Sequence, residues 1–266
     1  MAKNVGLFKN ELEFHLKIKK GDIGKYVIMP GDPGRVPEIA KHLKDAKQIA
    51  YNREFNIYTG TLNGKKVSVC SHGIGGPSTA IAAEELIHCG AKYLIRVGTS
   101  GGMHPKVLGG DIVIATAAIK GGGTSNEYLP VSYPAVADFD VVSALVDAAK
   151  TLSSNEDGKR FHVGVVHCKD AFYAETNPET MPIENTLKDE WKAFVKAGCL
   201  TSEMESDTLF SVGLCREVKT GGVFTALWNV EHAKIGGEKD IYVDNCERAV
   251  LCAIEAVKIL ISRERK

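Results

Sequence analysis

Three arginines in this 266-residue sequence could hold a doubly charged anion, and two of them stand beside glycine-rich turns. Arg35 closes the run Pro30-Gly31-Asp32-Pro33-Gly34-Arg35. There Gly31 lets the backbone approach a ligand closely, and a helix opening at this point would offer free N–H groups. Arg96 opens Arg96-Val97-Gly98-Thr99-Ser100-Gly101-Gly102. An arginine at a strand end, followed by small residues with hydroxyls and exposed amides, suits phosphate. Arg53 lies between aromatic residues in Tyr51-Asn52-Arg53-Glu54-Phe55. Each alone reads equally well as a turn with a surface arginine, or as a surface ion pair. Together the three point to one phosphate pocket.

Two further segments could do chemistry. In Thr201-Ser202-Glu203-Met204-Glu205-Ser206, two carboxylates flank a methionine ahead of an apolar helix. Glu205 could accept from a pair of vicinal hydroxyls while Met204 lies against an apolar ring face. The alternative is a capping box, because Ser202 and Glu205 fit the [ST]xxE spacing. The run Ser71-His72-Gly73-Ile74-Gly75-Gly76-Pro77-Ser78 imitates a dinucleotide fingerprint. That fingerprint wants an acid about 20 residues on, at the end of the next strand. Here the strand ends in Arg96, so a nicotinamide site is not expected. A tight turn with Ser78 capping the helix is the plain alternative. His15, in Phe14-His15-Leu16, would by itself be a surface or interface histidine.

The elements that must position these residues alternate along the chain. KYVIMP (25–30), KKVSVCS (65–71), KYLIRVG (92–98), GDIVIATAAI (110–119), HVGVVHC (162–168) and GGVFTALW (221–228) read as strands, several nearly continuously apolar. Residues 35–44, 78–89, 140–151, 184–197, 205–216 and 241–263 carry helical periodicity, with Val250, Ile254, Val257 and Ile261 on one face of the last. Such alternation predicts a mainly parallel sheet flanked by helices, in one domain, with ligands beyond the carboxyl ends of the strands.

Composition narrows the partners. Thirty-three basic residues balance thirty-three acidic ones, for a formal net charge of +0. No global field draws nucleic acid or an anionic membrane, so neither is an expected partner and any anion site must be local. No apolar run approaches the roughly 20 residues that span a bilayer. The first twenty residues hold no apolar stretch resembling a signal peptide, so a soluble, cytoplasmic protein is expected. Seven cysteines, with no CxxC pair, read as buried thiols rather than a metal or redox site.

The motifs GDPGR (31–35), NREF (52–55), HGIGGPS (72–78), RVGTSGG (96–102), YPAVADF (133–139), CKDAFY (168–173) and SEMES (202–206) together resemble the nucleoside phosphorylase-I family, most closely its uridine phosphorylase branch. The resemblance covers nearly the whole chain. It implies one domain over residues 1–266, with a mixed, barrel-like central sheet flanked by helices, assembled as a homo-oligomer, typically a hexamer of dimers. It implies cleavage of a nucleoside by inorganic phosphate to give free base and (deoxy)ribose 1-phosphate, without a resident cofactor. Carried over by position, Gly31, Arg35, Arg96 and Thr99 would bind phosphate, with Arg53 reaching in from a neighbouring subunit. Glu203, Met204 and Glu205 would hold the ribose, and His15 would cross the dimer interface to the 5′-hydroxyl. Arg96 and Glu205 would be catalytic. Phe172 would pack against sugar or base. In some members a monovalent cation sits on residues matching Glu54, Ile74 and Ser78.

Base recognition is where the chain departs from its family. The branch it resembles reads uracil with a Gln and an Arg in the loop after the CKDAFY strand. Here that loop is Ala174-Glu175-Thr176-Asn177-Pro178-Glu179-Thr180-Met181-Pro182, with Glu175 and Thr180 as the nearest equivalents. A carboxylate meets the O2 and O4 acceptors of uracil poorly. Purine-specific relatives carry an Asp after the strand at 221–228. This chain has Ala226-Leu227-Trp228-Asn229, then Glu231 and His232. His72 matches the purine branch better. A purine or altered-specificity phosphorylase therefore stands beside the uridine reading. A water-using nucleosidase and a non-catalytic nucleoside-binding protein are set back by the complete set Arg35, Arg53, Arg96 and Glu205.

Overall fold

The computed structural model describes residues 12–154, 160–235 and 242–264. In chain order they form β1 (Tyr26–Pro30), α1 (Arg35–Ala40), β2 (Lys44–Asn52), β3 (Phe55–Leu62), β4 (Lys65–Cys70), α2 (Gly76–His88), β5 (Tyr93–Gly102) and β6 (Ile112–Gly121). There follow α3 (Gly123–Tyr128), β7 (Ala135–Val136), α4 (Phe139–Ser154), β8 (Phe161–Lys169), α5 (Phe172–Thr176), α6 (Glu184–Lys196), β9 (Thr201–Glu203), α7 (Ser206–Arg216), β10 (Lys219–Trp228), α8 (Val230–Lys234) and α9 (Glu247–Arg263).

All six strands read from the sequence are present, because continuous apolar runs can be buried on both faces. In β1, Val27 and Met29 enter one core cluster with Phe55, Leu86, Phe210 and Phe224, while Tyr26 and Ile28 enter another with Val141, Leu145, Val257 and Leu260. The period-2 pleat sends alternate side chains to opposite faces, so one short strand anchors two cores. Helices α2 and α7 pack on one side, and α4 and α9 pack together on the other.

The sheet is mixed and curls back on itself. β5 pairs in parallel with β1 and β10 along most of its length, and its last residues pair antiparallel with β9. From β10 the path runs through β6 and β8 to β9, which closes a ring on β5. β4, β3 and β2 extend outward beyond β1. This is the barrel-like mixed sheet that the family resemblance implied, and it is less parallel than the alternation of strands and helices suggested.

Two helix boundaries are corrected, and one strand is new. The helix expected over 35–44 ends at Ala40, because Lys44 begins β2. β2 escapes a hydrophobic-run reading because it is an edge strand with mostly exposed residues, KDAKQIAYN. The helix expected over 241–263 starts at Glu247. Asn245 accepts from the Glu247 N–H at 2.6 Å in an entry turn, and residue 241 lies outside the described residues.

Candidate active site

Arg96 occupies the middle of the sheet, in register with Met29 of β1 on one side and Gly222 of β10 on the other. It is 4% exposed, and a buried guanidinium needs partners for its five donors. Nε donates to Glu203 Oε2 at 2.8 Å, Nη2 pairs with Glu205, and Nη1 donates to His72 Nε2 at 2.9 Å. The guanidinium carbon lies 5.3 Å from the centre of the Phe224 ring, within cation–π range. Close approach depends on missing side chains. A Cβ on Gly98 would stand 3.4 Å from the guanidinium, and one on Gly31 would stand 3.1 Å from the Gly73 carbonyl and 3.9 Å from Nη1.

Ring closure brings the carboxylates to this cation. β9 pairs with both β5 and β8, which places Ser202 opposite Gly101 and His167, and Glu203 opposite Cys168. Glu203 also accepts from the backbone N–H of Glu205 at 3.0 Å and of Ser206 at 3.0 Å, so it closes the start of α7. The alternative reading, a Ser202–Glu205 capping box, does not form. Glu205 itself is the N-cap, and its Oε1 accepts from the Gly75 N–H at 2.7 Å. Gly73 and Gly75 have φ of +74° and +87°, which side-chain-bearing residues adopt at a cost. The turn that presents this N–H therefore depends on both glycines.

Electrostatics divides the cluster. Burial would raise Glu203, but Arg96 and the two backbone amides hold it below the ordinary carboxylate value. Glu205 is raised, first by burial and then by the like charge of Glu203, with Arg96 opposing. Burial and the charge of Arg96 push His72 well below its usual value. His72 is therefore a neutral ring that accepts from Arg96, with Nδ1 3.0 Å from the Thr79 hydroxyl.

The remaining phosphate candidates surround this centre. Arg35 begins α1 and is half-buried, Arg53 is exposed at the β2–β3 turn, and Thr99 is half-buried in β5. Among the described residues, neither Arg35 nor Arg53 makes a side-chain hydrogen bond or ion pair. Met204 is half-buried between the two glutamates. His15 stands apart from Arg96. Its Nδ1 pairs with the buried Glu85 at 2.7 Å, and its carbonyl accepts from Asn52 at 2.7 Å. Ser78 does not cap α2. Its hydroxyl lies 2.7 Å from Glu54 Oε1 and 2.5 Å from the His72 carbonyl, and Ile74 is 78% exposed.

Beyond β8 and β9 a cleft of about 860 Å³ opens between α5, α6 and α8, with Trp191, Phe194 and Trp228 in its walls. Phe172 is 40% exposed at the start of α5. Thr180 is exposed, and its hydroxyl donates to the Asn177 carbonyl at 2.8 Å. Glu175 is no solvated loop residue. It accepts from His167 Nδ1 at 2.9 Å, from Ser202 at 2.8 Å and from Lys169 Nζ at 2.9 Å. Against the pull of burial, these donors hold it below the ordinary carboxylate value. Glu231 also lines the cleft, with Oε1 accepting from Trp191 Nε1 at 2.8 Å and from Lys234 at 2.6 Å. Asn229 is turned inward and donates to the His104 and Val107 carbonyls, both at 2.7 Å. Sequence reasoning passed over Lys169 and the His72–Arg96 bond. The available signal was a lysine at the carboxyl end of an apolar strand.

Fold and site define an α/β enzyme with a buried arginine–dicarboxylate centre inside the closed sheet. Residues 25–262 match the Phosphorylase superfamily model, and the chain belongs to that family. The chain is 48% identical to the uridine phosphorylase of Treponema pallidum (strain Nichols), over 97% of this chain and 98% of that protein. It is 40% identical to the uridine phosphorylase of Thermococcus kodakarensis, over 94% of this chain and 87% of that protein. It is also 36% identical to the guanosine phosphorylase of Halorubrum lacusprofundi, over 92% of this chain and 98% of that protein. The family expected from the motifs is borne out. Among the described residues no helix is long and apolar enough to cross a membrane.

Proposed function

We propose that the protein cleaves the N-glycosidic bond of a nucleoside with inorganic phosphate, giving free base and (deoxy)ribose 1-phosphate, with uridine as the first substrate to test. The observation that carries the reading is the buried Arg96, forked between Glu203 and Glu205 beside the Gly31 turn. Gly31, Arg35, Arg96 and Thr99 take the phosphate, and Arg53 completes the site from a neighbouring subunit. Glu203, Met204 and Glu205 take the ribose, and His15 takes the 5′-hydroxyl across the same boundary. Phe172, Glu175 and Thr180 stand on the base side.

The chemistry follows from charge. As the bond to the base stretches, positive charge grows on the ribose, and a phosphate dianion held by arginines lies beside it and attacks C1′. Positioning and electrostatics supply most of the acceleration, and no covalent enzyme intermediate is needed. Phosphate at Arg96 competes with Glu205 for Nη2, which frees that carboxylate to accept from the ribose hydroxyls. Glu203, gripped by two backbone amides as well, stays and keeps Arg96 oriented.

Phosphate is a co-substrate in this reading, without a resident organic cofactor. A monovalent cation would sit between subunits on Glu54, Ile74 and Ser78. A homo-oligomer built from dimers, up to a hexamer, is what Arg53 and His15 need in order to act across subunits. Free thiols, most of them buried, suit the reducing cytoplasm. The guanosine phosphorylase relative supports a purine reading, with Glu175 or Glu231 accepting from a base N–H. A panel of nucleosides assayed with and without phosphate tests the proposal. Phosphate-dependent release of uracil from uridine is expected, and equal cleavage in phosphate-free buffer would overturn it.

A further inference from the structure

Lys169 is the last residue of β8, 8% exposed, and its ammonium lines the cleft. Two of its three N–H donors are taken. One goes to Ser202 Oγ at 2.8 Å, and one to Glu175 Oε1 at 2.9 Å. The third meets no acceptor among the described residues, and the ammonium stands 5.7 Å from the centre of the Phe172 ring. Ser202 directly precedes Glu203, so one residue of β9 separates this ammonium from the Arg96 centre.

The surroundings fix the ammonium in place. Glu175 is pinned by His167 and Ser202 as well, so Lys169, Ser202 and Glu175 form a closed triangle of hydrogen bonds on the carboxyl ends of β8 and β9. A buried lysine with a spare donor, lining an aromatic-walled cleft, is suited to an anionic or carbonyl oxygen on a flat ring.

We propose that Lys169 reads the base: its free N–H donates to a ring carbonyl oxygen of an oxo-base, and Glu175 acts as a positioning residue that holds the ammonium there. This rests on the phosphorolytic reading above. When the C1′–N bond breaks, its electron pair leaves on the base and spreads onto the ring carbonyl oxygens, while a phosphate oxygen forms the new bond to C1′. Lys169 stabilises that developing charge without giving up its proton, and the departing base takes a proton from water afterwards. A lysine thus supplies the donor that the missing Gln and Arg would have supplied.

The test compares uridine with 5-fluorouridine, whose base is the better leaving group and needs less help with its charge. In Lys169→Met, kcat/KM for uridine should fall about 100-fold and that for 5-fluorouridine only about 10-fold, with phosphate binding by calorimetry unchanged. The double variant Lys169→Met/Glu175→Gln removes the buried charge left unpaired and should give the same contrast if the single variant folds poorly. Equal losses on both substrates, or no loss, would overturn the role of Lys169. Uridine cleavage by the wild-type protein that ignores phosphate would instead overturn the phosphorolytic reading and this inference with it.

Discussion

Glu203 and Glu205 stand two residues apart and share Arg96, yet their pKa values are displaced in opposite directions, Glu203 downward and Glu205 upward. The difference lies in the like charge of Glu203, which raises Glu205, and in the backbone. Glu203 collects two amides at the start of α7, whereas Glu205 receives one, from Gly75. The enzyme thus has one carboxylate locked in its ionised form and another that gives up its charge more readily.

That asymmetry sets the acid limb of activity. Glu205 must be ionised to accept from ribose hydroxyls, so kcat/KM should rise with pH through a value above that of an ordinary glutamate. Glu203→Gln removes the like charge that helps to raise Glu205, and the limb should move to lower pH whatever its height. A pH profile of uridine cleavage checks this, and a limb that stays in place would show that another group governs it.

Arg96→Ala should lower kcat/KM by about 10²-fold or more, the usual consequence of losing a donor to transition-state charge. It should also weaken phosphate binding in calorimetry. Thermal melting is measured alongside, because removing Arg96 leaves Glu203 and Glu205 buried without their cation.

Subunit complementation tests the reach of Arg53. Arg53→Ala and Glu205→Ala should each be inactive alone, and a mixture of the two should regain activity, since a hybrid dimer contains one intact site. Sedimentation of a fully active monomer would refute the cross-subunit role.

Glu175 also makes a statement about stability. Its folded pKa lies below its ordinary 4.5. The ionised form therefore favours the folded state, fully above 4.5 and progressively less as pH falls through the lower folded value. Glu175→Gln should lower Tm by a few degrees at pH 7, for a charge-assisted interaction of about 1–3 kcal/mol. The gap to wild type should close in acid. Melting curves at pH 7 and pH 3 measure it, and a gap independent of pH would show that the carboxylate charge is not what counts.

Sequence alone determined which residues could form the anion site and which strands carry them. Apolar runs such as KYVIMP and KYLIRVG can hardly be anything but doubly buried strands, and glycine turns at their ends announce a close ligand approach. It did not reveal β2, whose polar residues lie on an exposed edge, nor which of two local readings Ser202 and Glu205 would take. Those were decided by the closure of the ring. β9 is three residues long, with no local signal strong enough to define it, and it forms because β5 and β8 each offer it an edge. That pairing brings Glu203 and Glu205 to Arg96, 107 and 109 residues away in sequence, and Ser202 to Lys169. Side-chain partnership at such separations depends on strand register, which no local pattern of residue types contains.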